Sequence, residues 1–347
     1  MTRLRATRYQ VIRGMPASRA AAAVGLAVVV TLVSMPWWAG RGELRLATEF
    51  LYTLALAQLW NFLAGYGGLL SVGQQGFLGI VGYSMVVLAL MVGLNPFLAV
   101  PLAGLVAAVI AVPIAAVVFR LNGPYFAIGT WVVAEIFMLL VKNTPALGGG
   151  LGISLGKAVQ GVPYWWLDAA TLWIAIVLGV GSIMFLYLIL RSRYGLALTA
   201  IRDSEQASQS LGVKVSWVKL IVYVAAAFGV GMTGALIFLA KLRITPDAAF
   251  TVDWTATMFF IVVIGGIGTI EGPIVGAAIY FVLREALSDY GSAYMIVLGG
   301  ATVVIMVLAP KGVWGLVSRR FDLRLFAVQR KIAGVGNPII AEQMRTI

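Results

Sequence analysis

The chain has 347 residues, of which 61% are hydrophobic and only 11% are charged, and its mean hydropathy is +0.98. Soluble domains carry about 25% charged residues, so this composition excludes a soluble protein and predicts one that crosses a membrane several times. The chain has neither cysteine nor histidine. Thiolate sites, the most common metal ligand and the most common general base are therefore missing, and we predict no metal site and no cofactor.

The formal net charge of +12 comes from basic residues that gather in three places. One group precedes the first apolar segment, one follows the last, and one lies in the middle of the chain. Basic residues beside apolar segments mark the cytoplasmic side of a membrane protein. We therefore predict membrane lipid, and no nucleic acid, as a partner of the chain.

In chain order, a basic tail at 1–19 leads into a membrane domain at 20–317, which a second basic tail at 318–347 follows. The length of apolar sequence predicts about ten transmembrane helices and thus an all-α, multi-pass protein. The ten segments are 20–38, 49–64, 76–93, 97–119, 125–141, 169–190, 220–240, 254–267, 272–287 and 294–309.

The even number of segments predicts the orientation of the chain. Both tails then lie on one side of the membrane, together with the loop at 191–219 that follows the sixth segment. Because these three regions hold most of the basic residues, we predict that they are cytoplasmic. The loops at 142–168 and 241–253 are predicted on the outer side.

The loop at 191–219 is the longest polar interruption between the first and last apolar segments. Asp203 is a favourable N-cap, and Gln206 three residues later completes an approximate capping box. Gly212 stands where a left-handed glycine commonly ends a helix. These signals predict a short helix at 204–211.

The predicted helix carries a small apolar stripe formed by Ala207 and Leu211, which are spaced i, i+4. About two turns are too few for a helix to be stable alone in water. A short capped helix with a small apolar stripe is well suited to docking in a groove on another protein. An ordinary solvated loop fits the sequence equally well at this point.

Polar side chains inside apolar segments are costly, so they are the first candidates for function. Glu135 lies midway along the fifth segment, where a structural hydrogen bond to a neighbouring helix is the alternative to a role in transport. The others lie at or beside the glycine-dense stretch 65–83. The candidates for a translocation path are Asn61, Ser71, Gln74, Gln75 and Glu135.

The glycines of 65–83 allow two interpretations. Unwound backbone at membrane depth is tolerated where it is buried in protein or lines a cavity, and its freed groups could meet a zwitterionic substrate. Close helix packing is the competing interpretation, because small residues let two backbones approach. We favour packing for most of these glycines, and we predict a helix contact at Gly272 and Gly276.

The sequence contains no recognisable ATP site. The nearest candidate for a phosphate-binding loop is Gly156–Lys157. The pattern requires glycine at position 151 and Ser or Thr at 158, whereas the chain has Leu151 and Ala158. We therefore predict a transport protein and not an enzyme.

Three stretches together resemble the permease subunit of branched-chain amino acid ABC importers. They are LWNFLAGYGGLLSVGQQGFLGIVGY at 59–83, FRLNGPYFAIGTWVVAEIF at 119–137, and YGLALTAIRDSEQASQSLGV at 194–213. The third is followed, beyond the seventh segment, by ITPDAAF and VVIGGIGTIEGPIVGA. Order and spacing match the family over about 45–317.

The resemblance implies a permease that pairs with a second permease subunit, two cytoplasmic ATPase subunits and an extracytoplasmic substrate-binding protein in a bacterial cell membrane. The loop at 191–219 matches the segment that couples the permease to the ATPases. The implied coupling residues are Arg202, Asp203, Ser204, Glu205, Ala207, Leu211 and Gly212.

Two alternatives remain open. A permease of the same architecture could move urea, short amides or a sugar. A secondary transporter driven by an ion gradient could use Glu135 as its proton site.

Overall fold

The structure is a computed structural model that describes residues 9–12, 16–287, 293–321, 325–326 and 331–334. Parts of both predicted tails, 1–19 and 318–347, lie outside these ranges. The described residues are mostly helical, as the composition predicts. The helices are α1 (Pro16–Ser34), α2 (Arg41–Asn61), α3 (Gln74–Val86), α4 (Pro96–Val118), α5 (Pro124–Lys142), α6 (Tyr164–Arg191), α7 (Arg193–Asp203), α8 (Glu205–Ser210), α9 (Val215–Lys241), α10 (Pro246–Phe250), α11 (Asp253–Gly265), α12 (Glu271–Ala286), α13 (Ala293–Leu308) and α14 (Gly312–Phe321).

Within the described ranges, eight helical stretches are long and apolar enough to cross a membrane. The second and ninth predicted segments are not among them, but both are helical, in α2 and α12. Helix α3 continues through a π-helical stretch, Val87–Met91, and α10 and α11 together make one crossing. The fold is therefore compatible with the predicted ten segments.

Two stretches that the sequence places in loops are helical. Residues 41–48 form the start of α2, where the Glu43 carboxylate accepts a hydrogen bond of 2.6 Å from the Gly40 N–H. Arg41 also pairs with Asp168 of α6 at 2.8 Å. Residues 193–203 form α7, which Ser192 caps. In both cases capping and tertiary contacts outweigh the polarity that favours a loop.

Helix α9 lies at the centre of the bundle and packs against α2, α3, α4 and α6. Small residues form its contact with α4, where Ala103 and Ala107 are fully buried. A Cβ at Gly231 of α9 would lie 2.8 Å from the Ala107 Cβ. Helices in a membrane associate through close packing rather than hydrophobic burial, so these small residues explain the position of α9.

Two short strand pairs join parts of the chain that are distant in sequence. Strand β1 (Tyr9–Ile12) pairs with β4 (Lys331–Gly334), which brings the described parts of the two tails together. Strand β2 (Ile153–Ser154) pairs with β3 (Arg243–Ile244). The second pair joins the two loops that the sequence predicts on the outer side.

The Gly272 and Gly276 contact is confirmed. A Cβ at either glycine would collide with backbone carbonyl oxygens of α11 or of the turn after it, those of Ile261 and Gly266. Only glycine therefore allows α12 to pack so closely on α11.

Candidate functional site

The first candidate site is the hairpin of α7 and α8, at the end of the bundle where α6 ends and α9 begins. Helix α7 buries Leu198 and Ile201. Helix α8 begins after Ser204, whose Oγ accepts a hydrogen bond of 3.3 Å from the Ala207 N–H. The predicted N-cap, Asp203, is the last residue of α7, so that prediction was one residue early. Ser204 has the extended backbone that an N-cap requires.

Gly212 ends α8 in the predicted left-handed conformation, with φ at +85°. The Gly212 N–H donates to the Gln209 carbonyl at 2.9 Å, and the Val213 N–H donates to the Ser208 carbonyl at 3.0 Å. This pair of hydrogen bonds is the Schellman motif, which satisfies carbonyls at a helix end. The motif gives the short helix a defined end.

The outer face of α8 is exposed among the residues that the structure describes. Ala207 is exposed and Leu211 is 82% exposed, whereas Ser208 points inward and is buried. Glu205 pairs with Lys219 of α9 at 2.7 Å, which ties α8 to the bundle. The predicted stripe is therefore presented to the outside on an anchored helix, as a docking surface requires.

The hairpin also reaches the turn between α11 and α12. A Cβ at Gly268 of that turn would lie 3.3 Å from the Arg202 Nη1. Arg202 is otherwise exposed, and it is one of the predicted coupling residues. The Arg202 side chain therefore lies beside this turn.

The second candidate site is a polar centre where the chain unwinds between α2 and α3. After a π-helical stretch at Phe62–Tyr66, the chain runs without helix to Gln74. Gly73 lies against the Thr130 carbonyl of α5, where a Cβ would collide. Thr130 lies six residues after the first residue of α5, which is about 9 Å along the helix axis. The start of α3 therefore packs against α5 at that level.

Ser71, Gln74 and Gln75 are all buried at this centre. The Gln74 Nε2 donates to the Ser71 Oγ at 3.3 Å, and the Thr255 hydroxyl of α11 donates to the Gln75 Oε1. The Val72 N–H donates to the Thr130 Oγ1 at 3.2 Å. The structure therefore brings three of the predicted path residues together.

Each of the two glutamine side chains uses one atom of its amide group and leaves the other without a partner among the described residues. The Gln74 Oε1 and the Gln75 Nε2 are buried and have no hydrogen-bond partner in the described part of the chain. An unpaired buried polar group costs about 1–3 kcal/mol. One edge of the unwound segment is open, because Gly68 and Leu70 are exposed. The centre thus has two unpaired amide atoms, and part of the unwound segment next to it lies at the surface.

Asn61 lies apart from these residues and holds the turn between α11 and α12. Its Oδ1 accepts from the Gly268 N–H at 2.8 Å, and its Nδ2 donates to the Thr269 carbonyl at 2.8 Å. Gln58, one turn earlier, donates to the Ile270 carbonyl at 2.7 Å. Both side chains satisfy backbone groups in the membrane domain, which is a structural task.

Glu135 makes no hydrogen bond to the polar centre within the described residues. Its carboxylate accepts a hydrogen bond of 3.1 Å from the Trp131 Nε1, one turn earlier on α5. Glu135 is half-buried, and Trp131 is 43% exposed. The pair therefore lies at the surface of this chain, where bare lipid would be an unfavourable environment for a carboxylate.

Sequence reasoning missed Gln58, Thr130 and Thr255. Gln58 had a usable signal, since residues three apart share a helix face and Asn61 was already a candidate. The two threonines had none, because an isolated threonine is common in apolar helices and hydrogen-bonds its own backbone. Their meeting with 71–75 depends on how α5 and α11 pack.

Comparisons with known proteins identify the family of the chain. The model of the family described as the permease component of the branched-chain amino acid transport system matches residues 44–308. No solved structure matches the chain.

Three relatives are named as LivM permease proteins. The chain is 31% identical over 331 residues to the high-affinity branched-chain amino acid transport system permease protein LivM of Salmonella typhimurium, covering 88% of this chain and 77% of the relative. The LivM protein of Escherichia coli is 30% identical over 324 residues, covering 86% and 76%.

A probable branched-chain amino acid transport permease protein LivM of Methanocaldococcus jannaschii is 27% identical over 216 residues, covering 61% of this chain and 59% of the relative. All three relatives are named as transport permeases, which agrees with the prediction of a transport protein and not an enzyme. The family match covers both the hairpin and the polar centre. The chain is a multi-pass membrane protein that belongs to the permease component family of branched-chain amino acid transport systems.

Proposed function

We propose that the chain is the permease subunit of an ATP-driven ABC importer that moves branched-chain or other apolar amino acids. Its partners are a second permease subunit, two cytoplasmic ATPase subunits and an extracytoplasmic binding protein, in a bacterial cell membrane with both termini in the cytoplasm. The membrane domain is 20–317, and the coupling loop is 191–219. The observation that carries the proposal is the free outer face of α8, capped at both ends.

The hairpin supports a coupling role because it combines a free surface with a firm attachment. Leu211 offers an exposed apolar contact, while the ion pair between Glu205 and Lys219 connects α8 to α9. Helix α9 packs against four other long helices. A push on α8 from a closing ATPase would therefore reach the centre of the bundle as a movement of packed helices.

The polar centre supports a role in the translocation path. Non-helical backbone at membrane depth is tolerated only where it is buried in protein or lines a water-filled cavity. The exposed edge at Gly68 and Leu70 therefore needs contact with protein or with water. The second permease subunit or the aqueous path would supply it. Ser71, Gln74 and Gln75 then lie beside the path, and Asn61 supports it by holding the turn at 268–270.

Glu135 belongs to the same proposal. Its position at the surface of this chain suits a residue that faces the partner permease and the path between the two subunits. The uptake experiment with Glu135→Gln in the Discussion tests this point.

The experiment that tests the function is co-purification of the chain from its native membrane in mild detergent, followed by mass spectrometry of the bound proteins. A second permease together with ATPase subunits is the expected result. Isolation of the chain alone, with uptake retained in vesicles that lack ATP, would contradict the proposal. It would favour an ion-coupled transporter.

The substrate is tested with the binding protein of the same importer. We expect it to bind leucine, isoleucine or valine more tightly than urea, acetamide or glucose. The opposite preference would keep the importer and reject the amino acid. Leu211→Asp is expected to lower ATP-driven uptake in the assembled importer, and Leu211→Met, which keeps the apolar surface, is the matched control.

A further inference from the structure

A groove of about 700 Å³ lies between the end of α4 and the junction of α8 and α9. It is at the same end of the bundle as the hairpin. We call it the α4–α9 groove. The lining residues that form the proposed site are Val112, Ala116, Phe119, Arg120, Lys214, Ser216 and Trp217.

The polar end of the groove is positively charged. Arg120 and Lys214 are both exposed, and neither forms an ion pair within the ranges that the structure describes. No acidic residue lines the groove. By contrast, Lys219, at the neighbouring start of α9, is paired with a carboxylate. Two cations without a counter-charge favour an anionic ligand between them.

The backbone adds to this positive end. Ser216 lies in the first turn of α9 and lines the groove. Its N–H has no hydrogen-bond partner among the residues that the structure covers. The free N–H groups at the start of a long helix carry partial positive charge and bind phosphate oxygens well.

The floor of the groove is apolar and extends into the membrane. Val112, Ala116 and Phe119 follow one face of α4 at intervals of four and three residues. From Val112 to Arg120 this face extends about 12 Å. Trp217 lies opposite and is 60% exposed, and tryptophan is enriched at the level of lipid headgroups.

We propose that the α4–α9 groove binds an anionic phospholipid. Its phosphate contacts Arg120, Lys214 and the Ser216 N–H, and one acyl chain lies along Val112 and Ala116. A basic pocket between membrane helices is a known arrangement for such headgroups. A soluble phosphate would use the cations but not the apolar floor, so the combination favours a lipid.

The lipid would also contact the coupling hairpin. Gln209 of α8 and Val213, which closes the Schellman motif, line the same groove. A bound lipid therefore supports the side of α8 that faces the membrane. The lipid site itself does not depend on the proposed transport function.

The site is tested by native mass spectrometry of the delipidated, purified chain. Phosphatidylglycerol and phosphatidylcholine with identical acyl chains are titrated separately, and the dissociation constant of the first bound lipid is compared. We expect phosphatidylglycerol to bind at least tenfold more tightly. Equal binding of the two lipids would overturn the proposal.

The variant Arg120→Gln, Lys214→Gln is expected to bind phosphatidylglycerol about 30-fold more weakly, because it removes two cations at the membrane surface. The charge-conserving variant Arg120→Lys, Lys214→Arg keeps the binding. Arg193→Gln is the matched control, since Arg193 is exposed at the same end but does not line the groove. Wild-type affinity in the double Gln variant would contradict the site.

Two further measurements separate the lipid from other anions and guard against misfolding. Ala116→Trp fills the floor without changing charge and is expected to weaken the binding of both lipids, whereas wild-type affinity for both lipids in this variant overturns the acyl-chain contact. Inorganic phosphate competing fully with phosphatidylglycerol would show a soluble anion site and overturn the lipid. If the double Gln variant does not elute as a single gel-filtration peak, Arg120→Gln and Lys214→Gln are measured separately. Each single variant is expected to bind phosphatidylglycerol about fivefold more weakly.

Discussion

Lys219 of α9 holds Glu205, the first residue of α8, in an ion pair with an Nζ–Oε2 distance of 2.7 Å. Among the ion pairs of the described residues, this is the one that attaches the short helix to a helix of the bundle. The side chains are 19% and 47% exposed, respectively. A half-exposed pair contributes at most about 1 kcal/mol to stability. Its main effect is therefore to hold α8 in place against α9, and not to stabilise the fold.

We expect Lys219→Gln and Glu205→Gln each to lower ATP-driven uptake several-fold in the reconstituted importer, because α8 loses its attachment to α9. Thermal unfolding of the purified chain should change little. The exchanged variant Glu205→Lys, Lys219→Glu should recover part of the uptake. Uptake equal to wild type in both single variants would remove the ion pair from the coupling mechanism.

Gly212→Val should weaken coupling. Gly212 has φ at +85°, and a Cβ there would meet nothing within 4 Å, so the effect is conformational and not steric. A side chain in a left-handed conformation costs about 1–2 kcal/mol, more for a β-branched residue. The measurement is uptake per ATP hydrolysed.

Gly212→Asn is the control for this experiment, since asparagine tolerates the left-handed region. It should retain most of the coupling. If the Val variant transports as well as the Asn variant, the end of α8 does not need its present geometry.

Asn61→Leu should destabilise the chain by about 2–6 kcal/mol. The substitution leaves the Gly268 N–H and the Thr269 carbonyl without partners in a buried place, and each such group costs about 1–3 kcal/mol. Thermal unfolding in detergent measures the effect.

Gln58→Leu is the matched comparison. It removes one hydrogen bond, to the Ile270 carbonyl, but also removes an Oε1 that has no partner in the described residues. We therefore expect a smaller loss. Normal stability of Asn61→Leu together with lost uptake would instead assign Asn61 to the translocation path.

Glu135→Gln should change the rate of uptake if Glu135 faces the path. Glutamine can still accept the hydrogen bond from the Trp131 Nε1, so folding and expression should be preserved. Trp131→Phe does the reverse, because it removes this hydrogen bond but keeps the carboxylate. A change in expression alone, with normal uptake per molecule, would support the structural role.

The amino-acid sequence by itself determined the class of protein and the order of its elements. Apolar length and the position of charges are local properties, so they are readable without a fold. The short helix at 204–211 was also readable, because Gly212 and the capping residues act within one turn. The N-cap moved from Asp203 to Ser204, which puts Ala207 instead of Gln206 at the position of the capping box, and α8 spans Glu205–Ser210.

The tertiary structure decided what the polar residues do. Asn61 and Gly268 are 207 positions apart, and Glu49 and Arg284, which share two hydrogen bonds of 2.8 and 2.9 Å, are 235 apart. No local pattern relates such residues, since their contact depends on which helices pack together and in which register. For the same reason, the gathering of Ser71, Gln74 and Gln75 with Thr255 became visible only in the folded bundle.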